Sequence, residues 1–180
     1  MVNRVFMAVD VQNLWYGARD AFGKGFRVDY KRLKNLLIEQ LPNGSTLEAI
    51  CYVVESPQHD SFHFVAKLEA YGFVVKKRYL KYDSKKNHLF RTDWDVGITV
   101  DIMKRSCFDR MDTLVLVSGD GDFEVVCREV QKQGKEVWVC PFVGSESNEL
   151  VKCANRKYFL DRRFVYSPRG VHGCQLNGRR

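Results

Sequence analysis

The chain of 180 residues contains no run of 18 uncharged apolar residues, so it offers no helical membrane span. Its apolar beginning reaches Asp10 too soon to act as the hydrophobic stretch of a secretory leader, and export by that route is not expected. Proline is scarce, at 4 residues, and no internal repeat interrupts the chain; with 45% apolar residues this excludes fibrous and disordered classes. No C-x-x-C pair occurs among Cys51, Cys107, Cys127, Cys140, Cys153 and Cys174. Scattered cysteines in a chain able to bury a real core read as reduced, mostly buried thiols of a cytoplasmic protein. Neither a G-x-G-x-x-G after the first strand nor a Walker A sequence is present, which disfavours dinucleotide and P-loop enzymes.

The charge is present, and it is unevenly placed. The net charge is +7, yet residues 156–180 hold seven of the basic residues (Arg156, Lys157, Arg162, Arg163, Arg169, Arg179, Arg180) against Asp161 alone. Residues 76–91 hold seven more against Asp83. Two basic patches on an otherwise balanced domain suit a polyanion, or simply a solvated surface.

Apolar runs bounded by turn residues predict strands at 4–10, 47–54, 73–79, 113–117 and 136–140, with a late sixth at 164–166. Helices are expected behind Asp29, behind Ser56-Pro57, from Asp93 through 106, over 123–133 and over 147–154. Residues 17–27 read as a loop, and 80–92 as a loop or hairpin extension. Alternation of this kind means βαβ units, hence an α/β fold with a mostly parallel sheet and helices on both faces. Residues 1–166 form one domain in this reading, and 167–180 a basic, disordered tail. In such sheets the functional crevice lies beyond the carboxyl ends of the strands.

That rule gathers the acidic residues. Asp10 ends the first strand, Asp120 and Asp122 follow the strand at 113–117, and Asp93 and Asp95 open a helix leading into it. Carboxylates brought to one rim repel one another by roughly 4 kcal/mol per pair at 4 Å and an effective dielectric of 20. A cluster without lysine or arginine inside its motifs therefore calls for a divalent cation, and all-oxygen ligands select Mg²⁺ or Mn²⁺. Gly119 and Gly121 are read as hinges that turn both aspartates toward one point. Asn13 and Ser118 add neutral polar groups for substrate phosphate or metal-bound water. Taken singly each residue also fits a local role: Asp10 a strand end, the SGDGD turn a helix cap, Asp93 an N-cap, Asp101 a solvated helix residue.

The segments VDVQN at 9–13, DWDVGITVD at 93–101 and LVSGDGDF at 116–123 resemble, in order and spacing, the NYN domain family, the LabA-like members of the PIN-like nuclease superfamily. The resemblance spans roughly residues 3–160. It implies a PIN-like fold and metal-dependent cleavage of RNA, with Asp10, Asp95, Asp120 and Asp122 as the catalytic, metal-binding set. Asn13 and Ser118 match the family's asparagine and serine. Where the family often carries a lysine before its second motif, this chain has Thr92-Asp93-Trp94-Asp95, with Arg91 one position earlier.

Lys76, Lys77, Arg78 and Arg91, interleaved with Tyr79, Tyr82, His88 and Phe90, suit a single-stranded RNA whose phosphates pair with cations while its bases stack on rings; wet surface over a buried strand is the equal alternative. Trp15 and Tyr16 fit either the site entrance or the core. His59 and His63 share a helix face but lack a third metal ligand and read as surface residues. A haloacid-dehalogenase-like phosphatase needs an acid two residues after Asp10 and meets Gln12 instead. Two functions remain: a ribonuclease, or an RNA-binding regulator or adaptor with the same fold and no turnover. A homodimer is left open.

Overall fold

Seven residues, RVFMAVD, form β1 (Arg4–Asp10), and six of them are buried, which requires cover on both faces of the strand. The computed structural model describes residues 2–55, 61–83, 88–90 and 92–168. In chain order β1 is followed by α1 (Val11–Phe22), β2 (Arg27–Val28), α2 (Tyr30–Glu39), β3 (Thr46–Glu55), α3 (Phe62–Ala70), β4 (Val74–Tyr79), β5 (Lys81–Asp83) and β6 (His88–Phe90). Then come α4 (Asp95–Cys107), β7 (Thr113–Val117), α5 (Glu124–Lys132), β8 (Glu136–Val139), α6 (Asn148–Cys153), β9 (Arg156–Lys157) and β10 (Val165–Tyr166).

Six strands make one parallel sheet in the order β4-β3-β1-β7-β8-β9. Alternation along the strands divides the core in two. Val5, Met7 and Val9 pack with Leu14, Leu33, Leu37 and Leu68 of α1, α2 and α3. Phe6 and Ala8 pack with Ile98, Ile102, Val126, Val130 and Leu150 of α4, α5 and α6. Helices thus cover both faces, as expected. From β1 the chain builds outward through β3 and β4, then returns to β7 and builds the other way. The order reverses between β1 and β7, and the carboxyl ends of those two strands flank the crevice that such a switch point opens.

Several expectations need correction. Residues 17–22 are helical, the end of α1, and not loop. Asp93 does not open α4; the helix starts at Asp95, with Trp94 at the cap position and no side-chain cap. The sixth strand of the sheet is β9, because Val165 and Tyr166 pair antiparallel with β2 in a separate two-stranded ribbon. The hairpin alternative for 80–92 holds, since β5 and β6 pair antiparallel. The Ser56-Pro57 helix start, His59, Arg91 and the tail from 169 lie outside the described residues. Five described cysteines are free, four of them buried. No helix among the described residues is long and apolar enough to cross a membrane.

Candidate metal centre at the carboxyl rim

Asp10 is at once the last residue of β1 and the N-cap of α1, so the strand passes into the helix without a loop. Its carboxylate is 5% exposed and accepts from the Asn13 backbone N–H at 3.1 Å and from Ser118 Oγ at 3.3 Å. Burial raises its pKa; those two donors oppose the rise and the neighbouring Asp120 adds to it.

The turn after β7 is tied to α1 and to itself. Asn13 Oδ1 accepts from the Gly119 N–H at 2.9 Å, and Ser118 Oγ accepts from the Asp120 N–H at 3.2 Å. Asp120 Oδ1 accepts from the Asp122 N–H at 3.0 Å, capping a single 3₁₀ turn over Gly121–Phe123. Ser118 is fully buried and its hydroxyl is shared between Asp10 and the Asp120 amide. It therefore ties the Asp10 carboxylate to the backbone that carries Asp120.

The glycines serve a different purpose from the one expected. Neither Gly119 nor Gly121 has a positive φ. A Cβ on Gly119 would lie 2.4 Å from the Ser145 carbonyl oxygen, and one on Gly121 would lie 2.8 Å from Ser147 Oγ. The 145–147 segment packs directly on the turn, held by the Ser147 N–H donating to the Gly119 carbonyl at 2.9 Å. Small size at these positions keeps the turn pressed against its neighbour.

Asp95 comes from the first turn of α4, which is anchored through Trp94. The Trp94 indole N–H donates to the Val53 carbonyl at 2.9 Å, its ring meets Tyr52 edge-on at 5.3 Å, and the Arg78 guanidinium lies 4.4 Å over it. Gly97 leaves room for that ring, since a Cβ there would meet it at 2.5 Å. Carboxylate oxygens of Asp95, Asp120 and Asp122 lie within 4.8 Å of one another. Asp10, Asp93, Asp95 and Asp120 line a cleft of about 180 Å³ together with Gln12, Asn13 and Tyr16, and among the described residues no lysine or arginine joins them. Partial burial, then Asp93, Asp10, Asp120 and Asp122 in that order, push the Asp95 carboxyl up to about 6. Three oxygens at this spacing, uncompensated by any cation of the cleft lining among the described residues, form a hard, all-oxygen donor set that could hold a metal ion.

The expected basic residues divide. Arg78 reaches the rim, where Nη1 donates to the Asp93 carbonyl at 3.1 Å. Lys76 instead pairs with Asp101, and Lys77 with Glu55 at 3.6 Å. Asp101 is not solvated: it is 8% exposed, accepts from the Tyr52 hydroxyl at 2.7 Å and faces Arg105 at 3.6 Å. Tyr16 lines the cleft and Trp15 a neighbouring pocket. Trp94 and Tyr52 escaped sequence reasoning; the Trp-Asp pair between two aspartate-rich positions was the only local signal.

The NYN domain family model matches residues 4–161. The chain is 25% identical over 158 residues to the low amplitude and bright protein LabA of Synechococcus elongatus, covering 86% of this chain and 82% of that one. It is also similar to a crystal structure of a Vibrio parahaemolyticus protein of unknown function, with TM-score 0.77 and 28% identity over 92% of this chain and 97% of that one.

Proposed function

This chain belongs to the NYN domain family, and from that membership and the acidic cleft we propose that it is a ribonuclease that hydrolyses single-stranded RNA with Mg²⁺ or Mn²⁺. The observation that carries the reading is the convergence of Asp95, Asp120 and Asp122 within 4.8 Å at a sheet switch point. Those three residues would hold the ion, with Asp10 on its flank. A bound divalent ion supplies charge that makes water nucleophilic and stabilises the phosphate oxygens as negative charge develops.

The protein's own groups do the positioning. Ser118 bridges the Asp10 carboxylate and the Asp120 amide, and the Asp120 side chain holds the Asp122 backbone. Asn13 uses its carbonyl on the Gly119 N–H, leaving its amide donors at the cleft for a phosphate oxygen. Hydrolysis joins the water oxygen to phosphorus and releases one ester oxygen as an alcohol. The family membership and the acidic cluster support a phosphodiester substrate, and RNA is the substrate class the NYN resemblance implies.

Labelled single-stranded RNA tests it. Wild-type protein cuts in Mn²⁺ and stops in chelator, while Asp10→Asn and Asp120→Asn keep the fold and lose cleavage. Full activity in both variants ends the reading. RNA binding without turnover in Mn²⁺ installs the regulator instead.

A further inference from the structure

Beside the acidic cleft lies a second, larger cavity of about 590 Å³ at the same rim, between the start of α1 and the ends of β3 and β4. Its walls are chemically unlike the cleft. Val11, Val28, Val53 and Phe64 make it apolar, and Trp15 and Tyr166 stand at it with 40% and 47% of their surfaces open. Rings standing open at a cavity mouth can stack on a flat ligand that enters it. Its size falls within the range of small-ligand sites, roughly 300–1,000 Å³.

The two cavities share part of their walls. Gln12 and Tyr16 line both, so the two sites lie side by side along the rim. Tyr16 is 43% exposed and meets Trp15 edge-on at 4.8 Å, forming an aromatic corner where the cavities join. The pocket also carries a few fixed polar groups. Glu55 is buried at its wall, held by the Ser61 hydroxyl and by Lys77, and Gln12 offers an amide at the junction.

We infer that this pocket is a nucleobase subsite, taking one base of the strand whose phosphodiester lies at the acidic cleft. The inference rests on the cleft being the place where that phosphodiester is held. A single strand repeats an anionic phosphate and a flat, largely apolar base a few ångströms apart. The rim repeats the complementary pair: a cation-seeking cleft and, through one shared tyrosine, a ring-lined pocket. Base stacking on such rings is tolerant of sequence, while Glu55 and Gln12 meet the polar edge of the base. A peptide or lipid occupant would have no reason to need the acidic neighbour.

The test is fluorescence anisotropy on the full chain, with Ca²⁺ in place of Mn²⁺. The probes are labelled single-stranded RNAs of about nine nucleotides, intact or with an abasic residue at each position in turn. One abasic position weakens binding about ten-fold, the loss of a single stacked base. Trp15→Ala and Tyr166→Ala each shrink that penalty while keeping the wild-type melting temperature and Mn²⁺ uptake. Abasic RNAs that bind as tightly as intact RNA at every position overturn the subsite, as do two variants that both retain the full penalty. Wild-type protein that shows the penalty yet takes up no Mn²⁺ and leaves RNA intact upholds the pocket and brings down the cleavage reading. Cleavage with no base penalty does the reverse.

Discussion

Two aspartates six residues apart on α4 experience opposite surroundings. Asp95 faces other carboxylates across the cleft, and its carboxyl rises to about 6. Asp101 lies against the sheet with Lys76, Tyr52 and Arg105 around it. Burial alone would raise its pKa as well, but those donors and cations outweigh burial and lower it. Arg105 extends the network to Glu48. One helix and one kind of side chain give opposite outcomes: one carboxylate is neutralised by the protein, the other is left for something from outside.

The largest break in this contrast comes from the cleft. Asp120→Asn removes a donor from the converging trio, and both Mn²⁺ affinity and RNA cleavage fall by about a hundred-fold or more, measured by calorimetry and by a gel assay. Asp101→Asn leaves cleavage in place and lowers stability instead. It strips Lys76 and Arg105 of their carboxylate at a cost of about 2 kcal/mol, seen as a melting point lower by roughly 4–8 °C. An equal loss of cleavage and stability in both variants would erase the distinction between the two aspartates.

Gly119→Ala probes the link between turn and neighbour. The added methyl must push the Ser145 carbonyl away, destabilising by about 1–3 kcal/mol and displacing Asp120, so cleavage falls with denaturant midpoint. The smallest effect is a pH slope. Asp95 titrates near 3.8 when free and near 6 in the fold. Between those values the metal-free folded state holds a proton that the unfolded chain has released, so stability falls as pH rises through that window. Asp95 is only partly buried, and solvent screening reduces the effect to about 1 kcal/mol. Asp101 acts the other way: its contribution is present above the free-carboxyl value and is lost as pH falls through its lowered one. Thermal melts from pH 2 to 7 then separate the variants, with Asp101 acting below about pH 4 and Asp95 above it. Asp95→Asn removes the fall in stability, Asp101→Asn removes the opposing gain, and Mn²⁺ uptake strengthens as pH rises past 6.

The long strands were readable because burial on both faces writes an unbroken apolar run, as in TLVLV of β7. The carboxylate cluster was readable because strand ends bring distant motifs to one rim. Helix α1 was missed because its start signal, Asp10, doubles as a strand end; Leu14 and Ala18, four apart and both buried, were the signal available. The role of Asp101 depends on Tyr52 and Lys76, 49 and 25 residues away, and no local pattern reports such partners. β9 and β10 have two residues each, too few to carry a period. Glycine in the SGDGD turn announced a special position, but not whether dihedral freedom or lack of bulk was needed.

The absence of any spacer between β1 and α1 makes that junction intolerant of length change. One extra residue after Asp10 would rotate every later position of the helix by roughly 100°, swinging Asn13 and Tyr16 off the rim while the sheet stayed intact. Insertions in this lineage should therefore accumulate near Gly23–Gly25 or Gly44, where the added chain meets open space.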